Sequence, residues 1–387
     1  MRVVYMDHAA TTPLHPEVLE AMLPYLRGKF GNPSSIYTLG REAREGVERA
    51  RTIVAAGLGA APAEIFFTSG GTESDNQAIK GVALYSPGFR NHVITTSIEH
   101  PAVLNACRYL ERYGFEVVYL PVGRDGLVDP DVLRWALRSR TCLVSVMHAN
   151  NEIGTIQPVE AISEITREAG VPLHVDAVQT AGILDVDVNR LGVDLLSVSA
   201  HKLYGPKGVG CLYIRQGLAV DSLLHGGSQE SKRRAGTENV AGIVGFAKAV
   251  ELAAAERQER AERLLALRER LLSRILAEIE DTALNGHPTA RLPGHVNVRF
   301  NYIDGEALCL HLDTAGIAAS TGSACSSELQ EPSHVLAAMG ISPEEARGSL
   351  RLTLGRENSC EDVDYVLERL REAVDRLRAL SPLAGRA

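Results

Sequence analysis

Residues 195–214 read LLSVSAHKLYGPKGVGCLYI, two apolar runs joined by the nine residues HKLYGPKGV. Nine residues are too few for a helical crossover, which takes about a dozen or more, so the second run is expected to return antiparallel to the first. Upstream, the runs EIFFT, HVITTSI, FEVVYLPV, TCLVSVMH and PLHVD recur from residue 64 onward, most of them separated by stretches long enough for a helix. Strands alternating with helices build a parallel sheet. The sequence therefore predicts an α/β fold around a seven-stranded, mostly parallel sheet, with six strands parallel and the last reversed.

Downstream, around residues 238–282, Leu, Ile and Val recur at helical spacing among dense Arg and Glu pairs, the pattern of one long, partly exposed connecting helix. HVNVRF, a helix opened by Asp304, the run IAAS, the run SLRLTLG and a helix near 360–380 then form a smaller α+β unit. The expected division is a large α/β domain over 15–257 and a small α+β domain made of 1–14 and 258–387.

The chain has 387 residues, 45% hydrophobic and 23% charged, the proportions of a soluble globular protein rather than a disordered or collagenous one. Forty Lys plus Arg against 48 Asp plus Glu leave a formal charge of −8, so no net basic field exists for nucleic acid. The six cysteines, 107, 142, 211, 309, 325 and 360, are scattered and form no CxxC pair, which fits a reducing cytosol rather than a disulfide framework or a zinc site. No apolar run reaches membrane-spanning length and the N-terminus has no signal-peptide pattern. A cytoplasmic protein with no membrane association is expected.

Three strand ends hold the residues that could carry chemistry. SGGTESDN, Ser69 to Asn76, follows EIFFT and opens a helix. Gly71 and Thr72 at such a turn expose backbone N–H groups before a helix dipole, which suits a phosphate; Thr72 could equally be a plain N-cap. No GxGxxG occurs, which favours a single phosphate over a dinucleotide. Asp176 closes LHVDAVQT, where a carboxylate points into the ligand crevice of an α/β sheet, or else caps the next turn. Lys202, one of only six lysines, follows the sixth run. A desolvated lysine there can form a Schiff base with an aldehyde, whereas a surface lysine is the ordinary alternative. Together the phosphate turn, the acid and the amine match the needs of pyridoxal phosphate.

The stretches YMDHAATTP, GNPSS, FTSGGTESDN, SIEHPAV, HANNEIG, HVDAVQT, SAHKLYGPKGVG, RAGTEN, GSACSS, EPSHVL and SLRLTLGR closely resemble, in order, the motifs of cysteine desulfurases of the nitrogen-fixation and iron-sulfur-assembly type. These are class V, fold-type I pyridoxal-phosphate enzymes, and the resemblance runs from about residue 4 to 380. It implies that Lys202 holds the cofactor as a Schiff base, that Asp176 pairs with the pyridine nitrogen and that His100 stacks on the ring. Asn151 and Gln179 would meet the ring face and its phenolic oxygen. Gly71, Thr72, Ser199 and His201 would bind the phosphate, helped by Thr237 from a partner subunit, which implies a homodimer. Arg351, with Asn32, would hold the carboxylate of L-cysteine. Without the resemblance, His100 reads as a cap, Asn151 as a turn former and Arg351 as a salt-bridged surface residue.

Cys325 lies in the Gly/Ser-rich stretch STGSACSSELQEP, a composition expected to give a mobile loop with an exposed thiol. The resemblance implies that Cys325 takes the substrate sulfur as a persulfide, leaving alanine, with His100 moving the thiol proton. A protein acceptor, such as an iron-sulfur scaffold or a thiolation protein, would receive the sulfur. Selenocysteine lyase or cysteine lyase on the same fold is the alternative enzyme, and a non-catalytic scaffold subunit the alternative from another class. By contrast, the cysteines in TCLVSV, GCLYI and EALCLHL sit in apolar runs and read as small core hydrophobes.

Overall fold

The computed structural model describes residues 2–85, 90–322 and 333–381. Its central sheet is built from β2 (Ile65–Thr68), β3 (His92–Thr96), β4 (Glu116–Leu120), β5 (Thr141–Met147), β6 (Leu173–Asp176), β7 (Leu195–Ser199) and β8 (Gly210–Ile214), after a short β1 (Val4–Tyr5). The order across the sheet is β2-β8-β7-β6-β5-β3-β4. β8 runs antiparallel to both β7 and β2, while the remaining pairs are parallel. Seven strands with one reversed is the architecture that the short 201–209 link predicts.

Helices cover both faces, which is why β5, β6, β7 and β8 are buried at every position. α1 (Pro16–Arg27) and α2 (Thr38–Leu58) precede the sheet, and α3 (Gly71–Tyr85) and α4 (Pro101–Glu111) follow β2 and β3. α5 (Pro130–Ala136), α6 (Val159–Glu168) and the single-turn α7 (Val188–Leu191) complete the layers. Strand alternation then sorts the side chains. Val144, Val146, Leu173, Val175, Leu196 and Val198 join one apolar cluster with α2, α6 and the start of the next helix. Leu143 and Leu195 face the other way, toward α3 and α4.

α8 (Val240–Glu278) is the long helix expected from the periodicity, unbroken over 39 residues and so about 60 Å in length. Its first part contributes Ile243, Phe246 and Ala249 to the sheet's cluster. Its second part contributes Leu264, Leu271 and Ile275 to a separate cluster. That second cluster is closed by β9 (Thr282–Leu284), β10 (His295–Phe300), α9 (Gly305–Thr314), β11 (Ile317–Ala318), β12 (Ser349–Thr353) and α12 (Cys360–Leu380), while α10 (His334–Ala338) and α11 (Pro343–Arg347) place Val335, Leu336 and Ala346 in a further cluster with Ile98, Met147 and Ile153. Asp304 opens α9 by accepting from the N–H groups of Glu306 and Ala307, each at 3.0 Å. β1 pairs in parallel with β11, which ties the N-terminal residues into this second region. Among the described residues, no helix is long and apolar enough to cross a membrane.

Two readings of individual residues change. Thr72 does not cap α3: the helix begins at Gly71 and Thr72 lies within its first turn. Cys142 and Cys211 are core residues, but Cys309 is only half-buried, because α9 keeps one side toward solvent.

Candidate functional site

The site forms where β2, β6 and β7 end. β7 stops at Ser199 and the chain makes a single 3₁₀ turn over Ala200–Lys202. Tyr204 follows with a φ of 63°, a costly left-handed conformation for a non-glycine residue. It is held from both sides, its N–H donating to Thr12 Oγ1 at 2.8 Å and its carbonyl accepting from His15 N at 3.0 Å. The His201 carbonyl likewise accepts from Thr12 N and Thr12 Oγ1. The N-terminal segment 7–12 thus laps over the turn. Lys202 Nζ donates to the carbonyls of Ala9 and Ala10, the latter at 2.8 Å. Gln179 Nε2 donates to the same Ala9 carbonyl at 3.1 Å.

Beside the lysine lies a cavity of about 420 Å³, whose lining includes Thr11, Gly71, Thr72, Ser199, His201 and Lys207. Its floor is tight. A Cβ on Gly71 would meet Val178 Cγ2 at 2.7 Å, and one on Gly210 of β8 would meet Gly70 Cα at 2.8 Å. Only glycine lets these backbones approach, leaving the N-terminal N–H groups of α3 open to an anion. Glu73, in the same first turn, is turned aside: its carboxylate accepts from Ser69 N and from Arg234 Nε, both at 2.9 Å. His201 Nδ1 meets Thr11 Oγ1 at 3.1 Å. Burial, then the charges of Lys202 and Lys207, lower the His201 pKa to about 4, so the ring is neutral at pH 7. Lys202 lines a second cavity, of about 60 Å³, together with His8, Gln179 and His295.

Asp176 is buried at the end of β6 and accepts from Val178 N at 2.9 Å, so it does make the turn-capping bond as well. Burial raises its pKa to about 6, opposed by the Val178 N–H and by Lys202. His100 caps α4, its Nδ1 accepting from Ala102 N at 3.1 Å. Burial, then Lys202 and His334, lower its pKa to about 4.

Arg351, on β12, is 3% exposed, which overturns the surface salt-bridge alternative. Its Nη2 pairs with Asp7 Oδ1 at 2.7 Å and its Nη1 donates to the Asn151 carbonyl at 2.9 Å. Its Nε has no hydrogen-bond partner among the described residues. Asn151 lies in the 150–154 turn, where Asn150 Oδ1 accepts from the N–H groups of Glu152 and Ile153. Asn32 is exposed, its Oδ1 accepting from Ser34 N at 2.9 Å within its own turn. Thr237 is exposed between β8 and α8. Neither residue lines the two cavities described above. Cys325 lies outside the described residues.

Sequence reasoning missed the segment 7–12. Asp7, Ala9, Ala10, Thr11 and Thr12 join Arg351, Lys202 and His201 across more than 180 residues of chain. The signal in DHAATTP is weak, since small residues and threonines act here through backbone carbonyls and hydroxyls.

Residues 4–366 match the family model described as aminotransferase class-V. The chain is 55% identical over 381 residues to a protein of Dictyoglomus turgidum named cysteine desulfurase IscS, covering 98% of this chain and 97% of that one. A protein of the same name from Methanosarcina thermophila is 57% identical over 382 residues, covering 99% and 94%. Among solved structures, one titled NifS-like protein superposes with a TM-score of 0.92 at 42% identity, covering 97% of this chain and all of that one. With the fold, the strand-end site and nearly the whole sequence in agreement, this chain belongs to the class V aminotransferase family.

Proposed function

We propose that the protein is a pyridoxal-phosphate-dependent cysteine desulfurase, converting L-cysteine to L-alanine and retaining the sulfur on Cys325 for a protein acceptor in iron-sulfur assembly or thiolation. One observation carries the reading: an amine, Lys202, and a buried carboxyl, Asp176, stand at adjacent strand ends beside a glycine-floored anion cradle. The names of the relatives, cysteine desulfurase, support the substrate.

The residues present fit pyridoxal phosphate. Gly71, Thr72, Ser199 and His201 surround room for a phosphate, and neutral His201 can donate one ring N–H to it. Thr237, supplied across a homodimer interface, would complete that contact. Asp176 would face the pyridine nitrogen, with Gln179 and Asn151 at the ring and His100 against it. When bound, the cofactor supplies an aldehyde for the substrate amine and an electron-withdrawing ring.

Lys202, oriented by the Ala9 and Ala10 carbonyls, moves the substrate Cα proton. Neutral His100 accepts the substrate thiol proton. Arg351 and Asn32 hold the substrate carboxylate. The Cys325 thiol, whose ordinary pKa is about 8.5, must ionise to attack. Its thiolate attacks the substrate sulfur, an S–S bond forms, the C–S bond breaks with its electron pair left on carbon, and a proton on that carbon completes alanine. Cysteine and the Cys325 thiol thus become alanine and a Cys325 persulfide, with no external oxidant.

The same reading takes 15–257 as the cofactor-binding domain and 1–14 with 258–387 as the small domain, supported by the change of apolar cluster along α8 between Ala249 and Leu264. The free thiols of Cys107, Cys142, Cys211, Cys309 and Cys360 support a reducing cytoplasm.

The test is one turnover of the holoenzyme with sulfur-labelled L-cysteine and no reductant, followed by peptide mass spectrometry. One added sulfur on the Cys325 peptide, with an equivalent of alanine, is expected. Free sulfide formed at an undiminished rate by Cys325→Ser would overturn the reading in favour of a lyase.

A further inference from the structure

Under the Lys202 site, the side of the sheet facing α3 is polar. β5 contributes Ser145, β6 His174 and Asp176, and β7 Ser197; in register, Ser145 pairs with His174 and Asp176 with Ser197. α3 lays Asp75, 1% exposed, over them. His174 is bonded at both ring nitrogens, Nδ1 to Ser145 Oγ at 2.8 Å and Nε2 to Ser197 Oγ at 2.9 Å. Asp75 Oδ1 stands 3.6 Å from His174 Nε2 and has no hydrogen-bond partner among the described residues.

Buried in this way, Asp75 would need a cation to stay ionised. His174 is not one, because burial lowers its pKa to about 3. The other groups bearing on Asp75 are acids, Asp176 and then Glu99; burial and these charges raise Asp75 well above the usual carboxylate range, and the Ser197 hydroxyl opposes them. Glu99 accepts at Oε1 from Thr96 Oγ1 and Met147 N, and its Oε2 has no partner among the described residues. Asp176 differs from both in feeling the positive charge of Lys202, and unlike Asp75 it also accepts a backbone N–H, from Val178. Two acids sharing a site do not both ionise, and the proton goes to the one with less support.

We propose that Asp75 is a positioning residue for the pyridine-nitrogen site, a neutral acid beneath Asp176 that leaves the negative charge of the pair on Asp176. The inference rests on the reading of Asp176 as the partner of the cofactor's ring nitrogen. A charged Asp75 would raise the Asp176 pKa by repulsion and weaken the anion facing the ring. The chain Ser145 to His174 to Ser197 fixes the polar floor on which the two acids sit.

The test uses holoenzyme with ¹³C-labelled aspartate carboxyls and infrared spectroscopy. A protonated-carboxyl band at pH 8 that is lost in Asp75→Asn is expected; a carboxylate band lost in its place overturns the inference. Should Asp75→Asn not fold, Ser197→Ala must shift that protonated band, and an unmoved band is equally fatal. In Asp75→Asn the pH midpoint of the cofactor's visible absorbance should stay within about 0.3 unit, whereas removal of a buried charge would move it by about a unit or more. Asp75→Leu should lower kcat about tenfold with KM within about twofold, and Asn at the same position should restore it; an undiminished kcat in the Leu variant overturns the positioning role. Asp176→Asn separates the two levels. Its turnover should fall about a hundredfold, as for loss of one preorganised electrostatic partner. Wild-type turnover and absorbance in that variant would end the Asp176 reading and the inference with it. An impaired Asp176→Asn without a protonated Asp75 band would end the inference alone.

Discussion

The two faces of the central sheet were built from the same strands and do different work. On the α2 and α6 side, β5, β6 and β7 present Val144, Val146, Leu173, Val175, Leu196 and Val198. On the α3 side Leu143 and Leu195 give way, toward the site, to Ser145, His174, Asp176 and Ser197. Both faces are buried, so exposure does not distinguish them. Burial of the first set lowers the free energy of the fold by removing apolar surface from water. Burial of the second opposes folding unless each polar group is bonded, and in exchange it produces acids and bases whose pKa values are moved.

The largest effect should come at the polar strand end. Lys202→Ala is expected to fold, to lose the borohydride-reducible bond to the cofactor and to lose turnover by about a thousandfold or more. Reducible attachment surviving at Lys207 would break the assignment. Arg351→Lys comes next: it keeps the charge but loses the planar fork, and KM for L-cysteine should rise about tenfold. Because Asp7 already pairs with one arm of the fork, a KM within twofold of wild type would mean that Arg351 only ties the N-terminal segment to β12.

On the apolar face the pattern should invert. Leu196→Ala is expected to cost about 2–5 kcal/mol in denaturant unfolding, while turnover per folded molecule stays within about twofold of wild type. A large loss of turnover at full stability would show that the faces are not separable.

The smallest effect is the pH response, because the shifts partly cancel. His8, His100, His148 and His201 have pKa values lowered to about 4 and His174 to about 3, and His92 and His295 are lowered as well, each chiefly by burial. These rings are neutral when folded but take a proton below about 6.5 when unfolded, so stability is lost as pH falls from there toward 4. Asp176, raised to about 6, and Glu99, raised to about 8, both by burial first, act oppositely. They hold protons in the fold that the unfolded chain has released, so they add stability as pH falls toward 4. These histidines outweigh two acids and the raised Asp75, and the apo protein's Tm should drop by a few degrees between pH 6.5 and 4.5. A rise over that window would mean that the acids dominate.

Much of this was legible in the chain. The strand runs, the antiparallel return after HKLYGPKGV and the 39-residue helix follow from local periodicity and link length, which act over a few residues and need no tertiary knowledge. Lys202, Asp176 and Gly71 were legible because each sits at a strand end. The polar floor was there to be read too. Ser145, His174 and Ser197 stand in phase within otherwise apolar runs, and a polar residue at a buried strand position is a signal that a partner exists. Which partner it is, the pattern does not say: Asp75 lies about 100 residues earlier, on a helix.

Local chain chemistry sets the elements, the order in which they alternate and the residue types at their ends, because periodicity, turn chemistry and link length act over a few residues. Tertiary structure alone decided that Asp7 meets Arg351, that the Ala9 and Ala10 carbonyls receive Lys202, and that Asp75 lies among acids rather than beside a cation. Those outcomes depend on contacts between distant segments and on the loss of water around them, and desolvation is a property of the assembled fold that no single stretch of chain possesses.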